Sequence, residues 1–110
     1  MTNITLIKEL ELGTLTPKGR PKEVQEIFSG ERRRILEVQL RDGETLAKHK
    51  AAEPITVLCL GGNGRFNAGG DLEDSIPLTA GTFITLEANV EHAVYADPDL
   101  HILVTKFKAE

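Results

Sequence analysis

Apolar residues recur at every second position in several short stretches of this chain. Leu36, Val38 and Leu40 alternate with Glu37, Gln39 and Arg41, which predicts a strand with one dry face and one wet face. The run 55–60 is continuously apolar but for Thr56 and stops at Gly61-Gly62, as expected of a strand covered on both sides. Residues 82–86 follow Gly81, residues 92–96 end at Asp97-Pro98-Asp99, and residues 101–107 form the most β-prone stretch. Short β-branched blocks separated by glycine and proline at this density predict an all-β domain, a sandwich or barrel of short strands.

Two stretches depart from that pattern. Pro21 to Phe28 has a first-turn proline and Gly30 as a stop, so a short helix is expected there and nowhere else. The segment 44–53 is rich in Ala, Lys and Glu, all good helix formers, and lies just before Pro54. Leu46 is its only large apolar residue, so a helix would have no face to bury, and an extended or looped path is expected instead.

A chain of 110 residues suits one domain, and 40% hydrophobic residues are enough to build a core. One domain over 1–110 is expected, with the barrel at about 35–107 and an N-terminal arm at 1–34. No apolar run approaches the ~20 residues that cross a bilayer. The first residues also lack the basic-then-apolar pattern of a leader peptide. Cys59 is the single cysteine, which excludes an internal disulfide and a cysteine-rich zinc site. These features lead to the expectation of a cytoplasmic protein without membrane contact. A net charge of −4 argues against nucleic acid as partner. The one basic run, Arg32-Arg33-Arg34, has no aromatic residues interleaved for stacking on bases and reads as a solvated loop entering a strand.

The stretch Gly61-Gly62-Asn63-Gly64-Arg65-Phe66-Asn67-Ala68-Gly69-Gly70 invites a phosphate-loop reading and fails it. A dinucleotide fingerprint begun at Gly62 and Gly64 would need glycine where Asn67 stands, and no Gly-Lys-Ser/Thr occurs. Tight turns between strands are the expected use of these glycines. Ser29 and Ser75 lie in turn-like contexts without a nucleophile elbow. Cys59, inside the apolar run, is expected as a core residue. That leaves the three histidines His49, His92 and His101.

The surroundings of His49 and His92 resemble the two short motifs of the cupin family. Gly43, five residues and His49 match the opening of the first motif, and Gly62 its close. Gly81, five residues, Glu87-Ala88-Asn89, Val90-Glu91 and His92 match the second in spacing. Glu87 and Asn89 replace that motif's proline and glycine, and asparagine is the natural substitute where a turn needs positive φ. The resemblance covers about residues 35–107. It implies a double-stranded β-helix, the jelly-roll barrel of the RmlC-like proteins. It also implies a divalent transition metal (Fe, Mn, Ni, Zn or Cu) bound at the mouth by three histidines and a glutamate. Cupins use such sites for dioxygenation, isomerisation and decarboxylation, some only bind small molecules, and they commonly form homodimers.

Measured against that motif, the chain keeps His49 and His92 only. The second histidine position is Ala51 and the glutamate position is Ile55. If the strand were regular, residues 49, 51, 53, 55, 57 and 59 would share a face and bring Glu53 in beside His49 as a third ligand or an acid/base. Pro54 disturbs that register, and an exposed loop carboxylate is the competing reading of Glu53. His101 lies outside both motifs and is expected at the surface. Gln39 would face the cavity only if the polar side of its strand lines it. The expected function is small-molecule binding with a degenerate metal site of His49, His92 and Glu53. The alternative is a metal-dependent oxygenase or isomerase that completes its ligand set outside the motifs.

Overall fold

A computed structural model describes residues 3–8, 10–13 and 19–109. Seven strands follow one another: β1 (Lys22–Ser29), β2 (Arg33–Leu40), β3 (Thr45–His49), β4 (Ile55–Ala68), β5 (Asp74–Leu78), β6 (Phe83–Leu86) and β7 (His92–Phe107). There is no helix among the described residues, and none long and apolar enough to cross a membrane. The helix expected over Pro21–Phe28 is strand β1, paired antiparallel with β2 from Lys22↔Leu40 to Ser29↔Arg34. Its β-branched and aromatic residues Val24, Ile27 and Phe28 gain more from an open edge of β2 than local helix propensity offers. The segment 44–53 is extended as expected: β3 occupies its first half and an irregular loop its second.

The architecture hangs on β4 and β7, which pair from Ile55↔Lys106 to Ala68↔His92. Their two halves recruit different neighbours. The first half of β4 pairs with β6 and its second half with β5. The second half of β7 pairs with β2, and through it β1, while its first half pairs with β3. One hydrogen-bonded sheet thus folds over into two layers facing a shared core, the double-stranded β-helix.

The fold-over falls where register slips twice, between Cys59 and Gly61 and between Gly62 and Gly64. Gly61 to Ala68 therefore run as a bulged strand, and of the glycines expected in tight turns Gly69 and Gly70 lie in one, between β4 and β5. Glycine is required because other backbone lies against it. A Cβ on Gly61 would come 1.9 Å from the Gly13 carbonyl oxygen, and one on Gly62 would come 2.2 Å from that of Asp99. Gly62 also has φ 81°, which L side chains rarely adopt. Likewise the expected break at Asp97-Pro98-Asp99 is an irregularity inside β7, not its end.

The core joins Leu36, Val38 and Leu40 of β2 to Ile55, Val57, Cys59 and Phe66 of β4, Leu78 of β5, and Val94, Leu100, Ile102 and Val104 of β7. Period-two alternation accounts for β2, whose odd-numbered Glu37 and Gln39 lie on the opposite, outer face. Cys59 is buried in this core as expected, and desolvation raises its thiol pKa above the ordinary value.

Candidate functional site at the mouth of the sheet

β3 delivers His49 to the cavity by means of a bulge. Thr45 opposes Tyr95 and Leu46 opposes Val94, but His49 opposes His92, so two residues of β3 sit against Ala93 alone. The extra residue turns Leu46 and His49, three apart, to the same side. The bulged Lys48 is tied down outside by an ion pair with Glu91, 3.0 Å long, and by donation to the Gly70 carbonyl. Lys48 and Glu91 directly precede the two histidines, so the pair clamps the strands next to the site.

The imidazoles of His49 and His92 lie with centroids 4.2 Å apart at an interplanar angle of 58°. The other face of His92 stacks on Phe66 at 5.5 Å and 10°. His92 is 3% exposed, whereas His49 is exposed at the rim. Both use Nδ1 identically: 2.7 Å from the Ala47 carbonyl in His49, and 2.9 Å from the Val90 carbonyl in His92. A carbonyl oxygen only accepts, so each Nδ1 carries the proton and donates it. In the neutral ring the bare lone pair is then on Nε2. Burial, followed by the neighbouring His49 and Lys106, pulls the His92 pKa below the usual histidine range, against the opposing effect of the Val90 hydrogen bond.

The cavity these rings overlook measures about 170 Å³. Leu36, Val38, Val57, Ile102 and Val104 wall it, and Ala51 and Ile55 also line it. The positions where the cupin motif places its other ligands therefore do face the same space, carrying an alanine and an isoleucine. Glu53 is not among the lining residues. Ala52 and Glu53 form a bend between β3 and β4, so the alternation that would have aligned 49, 51, 53 and 55 is interrupted there. The Ala51 carbonyl instead accepts from Asn89, whose φ of 67° makes the positive-φ turn expected of it and ties one motif to the other.

Two imidazole donors would fill two places around a divalent ion. With Ala51 and Ile55 in the remaining positions, and no group of three or more His, Cys, Asp or Glu among the described residues suited to hold a metal, the donor set does not fit an ion held by four side chains.

Lys106 is the lining residue that sequence reasoning missed. Ile102, Val104 and Lys106 share the inward face of β7, and the lysine, half-buried, ends that row at the mouth. The every-second-residue pattern was a usable signal, but Leu103 and Phe107 blur it by making the other face apolar too. Gln39 and His101 lie elsewhere. Gln39 accepts from Arg41 on the outer face, at 2.5 Å. His101, expected at the surface, is 0% exposed, with Nε2 2.7 Å from a carboxylate oxygen of Glu37. It opposes Gln39 on one side and Gly61 on the other, in the centre of the sheet and on the face turned away from the cavity.

No family profile matches the sequence, and no curated protein sequence does. Solved structures are similar over nearly the whole chain. A cupin superfamily protein from Desulfitobacterium hafniense aligns with TM-score 0.77 at 16% identity, over 96% of this chain and 100% of that one. An RmlC-like cupin from Desulfovibrio desulfuricans gives 0.75 at 22%, over 94% and 95%. A conserved protein of unknown function from Streptococcus pyogenes gives 0.76 at 19%, over 98% and 93%. With the crossed pairing of β4 and β7, these likenesses establish that the chain has the small RmlC-like cupin fold.

Proposed function

We propose that this protein is a small-molecule-binding cupin in which the metal site of the fold has been reduced to the pair His49 and His92. One observation carries the reading. Two cross-strand imidazoles, both protonated on Nδ1, overlook an apolar cavity whose other ligand-type positions are Ala51 and Ile55. Mostly apolar walls with a few convergent polar groups are the usual composition of a ligand pocket. A neutral imidazole with a free Nε2 accepts a hydrogen bond or a proton from what enters.

Metal analysis of purified protein after supplementation with iron, manganese, nickel and zinc tests this. Substoichiometric, readily exchanged metal is expected. One tightly held ion per chain, lost in both His49→Ala and His92→Ala, would overturn the reading in favour of a metal-dependent enzyme.

A homodimer belongs to the same proposal. Among the described residues the outer edge of β1 is unpaired, and Val24, Phe83 and, in the N-terminal arm, Ile4, Leu6 and Leu12 are exposed. Unpaired edges and apolar surface of this kind favour a covering partner.

A further inference from the structure

We propose that the cavity takes a small amphipathic hydroxy acid, with its carboxylate on Lys106, its hydroxyl donating to Nε2 of one of the two imidazoles, and its apolar tail between the two layers. The inference rests on the small-molecule reading above and adds the chemical class.

Three polar side chains line the cavity, and they differ in what they ask of a ligand. Lys106 supplies the only formal charge among the lining residues. No carboxylate lines the cavity, and among the described residues none pairs with Lys106. An ammonium half-withdrawn from water beside apolar walls is satisfied best by an anion. Lys106 also lies near enough to His92 to disfavour its protonation, so the ammonium and the imidazole form a single polar rim. The same charge opposes a second cation there.

The two histidines ask for a donor. Their Nδ1 protons are committed to the Ala47 and Val90 carbonyls, and Nε2 of a neutral ring only accepts. A plain carboxylate would set its lone pairs against theirs. A hydroxyl carried close to the carboxylate satisfies both demands at once, with an O–H for Nε2 and an O⁻ for Nζ.

Size sets the third constraint. About 170 Å³ is close to the cavity of about 150 Å³ that holds benzene in a well-studied engineered case. A body of about six carbons therefore fills it. The walls Val38, Val57, Ile102 and Val104 offer this body no polar partner, so it is aliphatic or otherwise bare.

The probes are α- and β-hydroxyhexanoate, hexanoate and hexanol, each titrated near neutral pH. Binding is followed by the methyl resonances of Val38, Val57 and Val104. At least one hydroxyhexanoate is expected to bind about tenfold more tightly than both hexanoate and hexanol. Lys106→Met keeps the aliphatic stem and should abolish the advantage of acid over alcohol, and Lys106→Arg should retain it. Should the hydroxy acids bind no better than hexanol, or Lys106→Met keep the preference, the hydroxy-acid assignment fails while the pocket reading stands. If no probe moves the methyl resonances, both fail.

Discussion

His49 and His92 are cross-strand partners whose rings lie 4.2 Å apart, yet only one of them is buried. The asymmetry has a thermodynamic consequence. His92 has a folded-state pKa below its unfolded value of about 6.5, because burial penalises the imidazolium. Above the unfolded pKa neither state carries the proton and the site contributes its full stability. As pH falls through the window below it, the unfolded chain takes up a proton that the folded one resists, and stability is lost.

Urea unfolding between about pH 8 and pH 5 is therefore expected to show declining stability, with His92→Gln flattening the part of that slope due to this residue. A slope unchanged by the substitution would show that His92 is not the group responsible.

Gly62→Ala is expected to cost about 2 kcal/mol or more, because its φ of 81° and the Asp99 carbonyl 2.2 Å from the new Cβ both resist a side chain. Gly70→Ala has nothing within 4 Å and serves as the control, with an effect within about 0.5 kcal/mol. Denaturant midpoints of the two variants should separate cleanly. Equal midpoints would mean that the corner of the sheet relaxes around the methyl.

Glu37→Leu removes the group that meets Nε2 of His101. Nδ1 of that ring already has no partner among the described residues, so the substitution leaves a 0% exposed imidazole with neither nitrogen bonded. A loss of about 1–3 kcal/mol is expected, and Glu37→Gln, which can still bond the ring, should recover much of it. Equilibrium unfolding of the two variants decides the matter, and equal losses would argue against a hydrogen-bond origin.

Sedimentation should give twice the chain mass of 12.1 kDa if the unpaired edge of β1 and its exposed apolar neighbours are covered by a second copy. A mass of one chain would remove the homodimer from the proposal.

Much of this fold was legible because β2 alternates in polarity, because β4, β6 and β7 show as β-rich blocks bounded by glycine or proline, and because Asn89 has the positive φ its motif position demands. What escaped depends on partners far along the chain. β1 is a strand because β2 offers it an edge, against a local pattern of proline, glutamate and glycine that favours a helical turn. Gly61 and Gly62 resemble a turn locally and become a strand only because β7 runs alongside both ends of it. His101 is polar and closely follows the Asp97-Pro98-Asp99 break, so nothing nearby betrays that β2 and β4 flank it on both sides. At the site, the two histidines were readable from motif spacing. Lys106 was obscured by apolar residues on both faces of β7, whereas Glu53 lies in a bend, the break in alternation that Pro54 signalled.

The pairing of β4 with β7 also bears on how the chain reaches this structure. Every other strand except β1 hydrogen-bonds directly to one of these two, and β1 reaches them through β2. Ala68 must find His92, and Ile55 must find Lys106, across all the intervening sequence. The entropy of closing that loop is lost before most other contacts can compensate it, which favours slow folding. Substitutions along the β4–β7 ribbon should then retard folding, whereas those in β1 or β5 should chiefly hasten unfolding.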